Sequence, residues 1–180
     1  MEQEKAAIDR IILSIGDAHM LAPRRINNQE DRTLLVQIYK AAMHDDITGD
    51  NSDFHNLAAT YAKHNDFGAA FEIVKKGLLQ YPYDIDLLAD GIKYGANCNQ
   101  IAECEKMLDT LFKRPFAFWN WRTFTFAVDY LLLSLNWEAP ENAAPVLKKA
   151  LDISKKFQET LPSEERGYVC EADVYICQSR

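Results

Sequence analysis

Four histidines and four cysteines are the side chains in this chain best suited to chemistry, and their spacing argues against a catalytic or metal centre. His19, His44, His55 and His64 are scattered through the first third, with no HExxH pair to set two imidazoles on one helical face around a zinc ion. His44-Asp45-Asp46 could orient an imidazole, but a protonated histidine also suits a solvated helix C-terminus, which explains the run more simply. Cys98 and Cys104 straddle a predicted turn, and Cys170 and Cys177 share a helix face. Neither pair has the tight spacing of two to four residues that zinc sites favour. All four are expected to be reduced thiols, mostly small core residues. No nucleophile elbow, phosphate loop or dinucleotide fingerprint occurs. The sequence therefore predicts no catalytic residue, no metal and no cofactor.

The elements that would position any site are helical. Phe54, Leu57, Ala58 and Tyr61 fall at i, i+3, i+4 and i+7 and line one face of a helix. Ala70, Phe71, Val74 and Leu78 repeat that periodicity after a break at Asn65-Asp66, and Pro82 closes the segment. Two antiparallel helices joined by a short turn follow. These offsets resemble a tetratricopeptide repeat, whose pattern is W-x₂-L-G-x₂-Y…A-x₃-F…P. Here Phe54 replaces the tryptophan, Ala58 the glycine, Val74 the late aromatic and Gly77 a late alanine. The resemblance implies an all-α fold, a right-handed superhelix of antiparallel helix pairs. Its first helices would line a concave groove that holds an extended peptide or a partner helix.

Weaker units flank the best one, which spans 51–82. Over 85–116, Leu88, Ile92 and Gly95 precede Cys104, Leu108 and Leu111, and predict helices at about 85–97 and 100–112. Over 119–162, Phe126, Ala127 and Tyr130 occupy the leucine, glycine and tyrosine positions, and a longer turn around Asn136–Asn142 precedes Ala143, Leu147 and Ala150. Asn142 is expected to cap that second helix, so that Pro145 falls in a first turn where its missing N–H costs nothing. Ile8, Ile11, Ile12 and Ile15, then Leu34, Leu35, Ile38, Tyr39 and Ala42, read as a divergent first pair over 4–44. A terminal helix over 164–180 carries the stripe Tyr168, Val169, Ala172, Tyr175 and Ile176, with no helix after it to cover it. It is expected to meet a partner, or a continuation of a longer native chain. The whole reads as one domain, 1–180.

At 180 residues and 48% hydrophobic content the chain can bury a sizeable core. With 27 acidic against 20 basic residues, its net charge of −7 would repel a phosphate backbone, and no basic patch long enough to overcome this is evident. Nucleic acid is therefore not the expected partner. The start lacks the basic and apolar regions of a signal peptide, and the longest apolar stretch, Phe124 to Leu135, includes Asp129 and is too short to span a bilayer. A cytoplasmic protein without membrane partners is the expectation.

Carried over from the resemblance, the groove positions of the best repeat include His55, Asn56, Ala59 and Lys63, and those of the next include Asp90, Lys93 and Asn97. One subgroup of the family grips a C-terminal carboxylate with a Lys and an Asn one helical turn apart. His55 and Ala59 stand in those places here, and only Asn56 and Lys93 supply compatible groups, so a carboxylate clamp is not expected. The helix with Phe124, Val128, Leu131, Leu132 and Leu135 is apolar nearly all round and must be covered on more than one side. Trp119, Trp121 and Phe124 are accordingly candidates for an apolar floor that receives a partner. The functional expectation is a noncatalytic module that binds a protein, a peptide or a second copy of itself in an apolar, mildly acidic groove. The alternative is a small-molecule sensor or enzyme-associated scaffold with a pocket near His55, Lys63 and Lys93.

Overall fold

Apolar stripes of period 3.6 separated by short polar breaks become seven α-helices, with no strand among the described residues. The computed structural model describes residues 50–135 and 140–179. The helices are α1 (Asn51–Lys63), α2 (Phe67–Gln80), α3 (Ile85–Asn97), α4 (Ile101–Phe112), α5 (Trp121–Leu133), α6 (Pro140–Thr160) and α7 (Arg166–Gln178), with a 3₁₀ turn at Phe116–Phe118 before α5. The chain divides into two compact units, Met1–Asp53 and Phe54–Arg180. The expected first helix pair, 4–44, lies outside the described residues, and the packing below concerns the second unit.

Short side chains set the helix starts. Asp66 accepts a hydrogen bond from the Ala69 N–H at 3.1 Å, Asp84 from Leu87 at 2.8 Å, and Asn120 from Arg122 and Thr123 at 3.0 and 3.1 Å. The turns α1–α2 and α3–α4 use one device. Asn65 and Asn99 adopt φ of 60° and 61°, the left-handed conformation that asparagine tolerates better than bulkier residues. The two helical pairs therefore turn on the same residue type at equivalent positions.

α3 packs on α2, α4 and α5, and α5 packs on α3, α6 and α7. Close approach depends on small residues. A Cβ at Gly95 would stand 2.5 Å from Cys104 Sγ and 2.8 Å from the Phe71 ring, and one at Gly77 would stand 2.9 Å from Phe54 Cβ. Behind them lies the apolar core, with Leu57, Val74, Leu87, Ile92, Leu111 and Phe157 fully buried.

One local expectation is corrected. The sixth helix begins at Pro140, not after Asn142, so Pro145 lies inside it. Pro140 suits the first helical position, where φ is preset and no N–H is needed, and a proline further in forgoes one backbone bond. The apolar stripe of α7 is uncovered, in keeping with the lack of a following helix: Tyr168, Val169, Tyr175 and Ile176 are each about half exposed, while Gly167, Cys170 and Val174 face the core. The helix packs through its smaller side, because Gly167 lets the backbone approach the Gln158 and Phe157 side chains of α6.

Two glycines should respond oppositely to the same substitution. Gly95→Ala is expected to destabilise the protein by about 1–3 kcal/mol through overpacking, whereas Gly68→Ala, with open space around it, should be neutral or stabilise by about 0.4–1 kcal/mol. Chemical denaturation midpoints measure both.

Candidate functional site

Asp90 has no exposed surface, so its charge must be compensated within the fold. It sits on α3, one turn after Asp86, on the side that meets α5. Two side chains from other helices converge on it: His55 Nδ1 of α1 bonds to one carboxylate oxygen, and Arg122 Nη2 of α5 bonds to the other at 2.5 Å. Arg122 Nη1 also lies 3.2 Å from His55 Nε2. The three groups close a ring. A neutral imidazole with its proton on Nδ1 satisfies every contact: it donates to Asp90 and accepts from Arg122.

The approach of Arg122 is set by its helix start. Asn120 caps α5 through its carbonyl and donates from its amide to Asp86 Oδ1 at 2.7 Å, tying the start of α5 to α3. Arg122, in the first turn, then reaches Asp90 one turn further along α3. Behind the ring, Tyr94 is buried against the Phe67 ring, with centroids 6.4 Å apart. Its phenol is pushed well above the ordinary range by desolvation first and by the Asp90 charge second.

A second group adjoins the first. The Phe126 ring is flanked by two cations, with Lys93 Nζ 4.6 Å and the Arg122 guanidinium 5.6 Å from its centroid. Lys93, Asn97, Phe126, Asp129 and Leu133 line a hollow of about 110 Å³ between α3 and α5. The Asp129 carboxyl is raised above its usual range by desolvation and then by Asp173, against the opposing effect of Lys93. Leu133 at its margin is 73% exposed.

The positions singled out in the sequence separate into three groups. His55 and Lys93 lie on one face, with Asn97 beside Lys93, its amide turned back to the Lys93 carbonyl at 2.8 Å; Asp90, expected to line the groove, is instead fully buried beneath His55 and Arg122 and offers no surface to a partner. Asn56 and Ala59 are half-buried on α1, and Lys63 is exposed near its end. The aromatic candidates are placed differently. Trp119 and Phe124 are core residues, 2% and 0% exposed, so neither offers a floor to a partner. Trp119 lies 5.0 Å from Phe124 between ring centroids, and Phe124 stacks on Phe157 at 4.8 Å. The helix that needed covering is covered by α3, α6 and α7. Trp121 is half-buried under the Arg166 guanidinium, 3.7 Å from its ring.

Arg122 and Phe126 are the functional candidates that the sequence reading missed. No sequence signal marked them: His55 and Asp90 lie mid-helix and Arg122 in a first turn, so the three share no register that would pair them in sequence.

Among the described residues no group of three or more His, Cys, Asp or Glu side chains is arranged to hold a metal ion, and no helix is long and apolar enough to cross a membrane. The four cysteines are free thiols. Burial pushes Cys104 up to about 12 and Cys170 up to about 11. The chain matches no family model and no curated protein.

Two tests follow from this geometry. Arg122→Leu strands a fully buried carboxylate and should cost roughly 3 kcal/mol, the lower end for breaking a buried pair because Arg122 is partly open to water. Asp90→Leu should cost less, since the Arg122 and His55 side chains, each 25% exposed, can turn to solvent; denaturant unfolding compares the two. The thiols set an alkaline limit. Because the folded state holds the Cys104 and Cys170 protons more tightly than the unfolded chain does, stability should fall as pH rises from about 9 towards 12. Alkylation at pH 8 should leave both unlabelled until denaturant is added.

Proposed function

We propose that this chain is a noncatalytic binding module that holds a peptide segment of a partner protein across the face formed by α1, α3 and α5. The observation that carries this reading is the half-buried Phe126 ring with Lys93 and Arg122 over it, beside a hollow at the face where three successive first helices meet. Buried chemistry is already spent there. Asp90 is charge-paired with Arg122 and hydrogen-bonded to His55, so the three groups work as a rigid platform. Lys93 is exposed, and the Asp129 and Asp173 carboxyl groups lie nearby. A peptide with an apolar side chain flanked by polar or charged residues suits this pattern.

The size of the hollow favours a peptide over a metabolite. Small-molecule sites usually enclose about 300–1,000 Å³, whereas the space beside Lys93 is about 110 Å³. An engineered cavity of about 150 Å³ holds one benzene molecule, so this hollow suits a single side chain. Further support comes from the turns at Asn65 and Asn99, which give the two helical pairs the same closing geometry, as a tandem repeat requires. On this reading the pairs belong to a tetratricopeptide-like array.

Selection of a displayed random-peptide library on the intact chain tests the proposal. Enriched peptides should share an apolar anchor and lose about tenfold or more in affinity on Phe126→Ala or Lys93→Glu. Failure to enrich any sequence, or enrichment indifferent to both substitutions, would overturn it.

A further inference from the structure

On another part of the molecule, α6 presents a row of lysines to the end of α4 and the 3₁₀ turn. Between them lies a cleft of about 620 Å³, within the size range of small-molecule sites. Its apolar lining comes from Phe112, Phe116 and Ile153, with Pro145 at one end. Its charged lining comes from Lys148, Lys149, Lys155 and Lys156, against Asp152 and Glu159. This is a local excess of cations in a chain whose net charge is −7.

The lysines have no sufficient structural use. Their helix carries no basic residue in its last turn, so they do not complement the negative end of its dipole. Lys156 pairs with Glu159 at 2.5 Å, and Lys149 lies over the Phe112 ring at 4.2 Å from its centroid. Lys148 and Lys155 make no ion pair among the described residues. Phe112 and Phe116 are half-buried, each with one side in the aromatic core and the other towards the cleft. Lysine stems extend the apolar wall while their ammonium groups remain at its rim.

We infer that this cleft is a binding site for a small amphiphilic organic anion, an acid group on an apolar body. The body would lie against Phe112, Phe116 and Ile153, and the acid would meet the ammonium groups of Lys148, Lys149 and Lys155. A neutral apolar ligand would bury the floor but leave those cations uncompensated, and a cationic one would be repelled. The site is built from α4, the 3₁₀ turn and α6, and does not depend on the peptide face of α1, α3 and α5.

Isothermal titration of the intact chain with dodecanoate, below the concentration at which it forms micelles, tests the inference. One dodecanoate should bind per chain, and dodecyltrimethylammonium should not. Lys148→Gln/Lys149→Gln should weaken binding by at least about tenfold, the scale of a lost charge-assisted contact, with thermal unfolding unchanged because both side chains are exposed. Lys155→Gln carries the same comparison should the double variant unfold. No binding, equal affinity for the cationic amphiphile, or an affinity indifferent to the lysines would overturn the inference. So would competition by an acidic, aromatic-containing peptide that binds more tightly than dodecanoate, which would make the cleft a protein-docking surface.

Discussion

A carboxylate with no exposed surface lies where α1, α3 and α5 meet, and compensating it fixes how those helices meet. Taking an isolated charge from water costs several kcal/mol even after relaxation, so Asp90 is stable only with donors on both oxygens. His55 and Arg122 provide them from two other helices, and their own contact closes the ring. Rotation of any of the three helices would break a bond to a buried charge. Apolar packing alone is less exacting, since stripes of leucine and phenylalanine can slide with modest loss. The ring therefore supplies angular definition that the core by itself lacks.

The same constraint divides the labour of α5. Thr123, Phe124, Ala127, Val128, Tyr130 and Leu131 are buried against α3, α6 and α7, while Arg122 and Phe126 lie at the ring and the adjoining hollow. One helix thus joins the aromatic core to the polar face. Phe124 stacks on Phe157 and contacts Trp119 and Phe116, so the rings that dominate this part of the sequence hold the last helices together. The buried Trp119 Nε1 has no hydrogen-bond partner among the described residues, a local cost of packing a large ring.

The two proposed binding functions rest on separate surfaces. On the face of α1, α3 and α5, cations flank an aromatic ring beside a hollow of one side chain's size, which supports recognition of an extended segment. On α6, a lysine row borders an apolar cleft several times larger. Their different volumes and charge balance, in a chain that is acidic as a whole, support two ligand classes held by separate sets of helices.

Helix positions in the better units were legible because they rest on local physics. The periodicity of Phe54, Leu57, Ala58 and Tyr61, the break at Asn65-Asp66 and the small residue at Gly95 act within one or two turns, and the observed α1 to α4 follow them closely. The face that a helix buries was less legible. Tyr168, Val169, Tyr175 and Ile176 form a good stripe, yet α7 packs through Gly167, Cys170 and Val174, because close approach to α6 outweighs stripe hydrophobicity. Trp119 and Phe124 likewise look like binding anchors in sequence, and only the packing of Phe112 and Phe116 on Trp119 and of Phe157 on Phe124 makes them interior residues. By itself the sequence determined the helical class, most helix limits and the exposed register of Lys93, but not that Asp90 is buried. Tertiary structure alone decided that Arg122 completes the ring, that Phe126 lies between two cations, and that the lysines of α6 border a cleft, since each depends on side chains distant in sequence meeting in space.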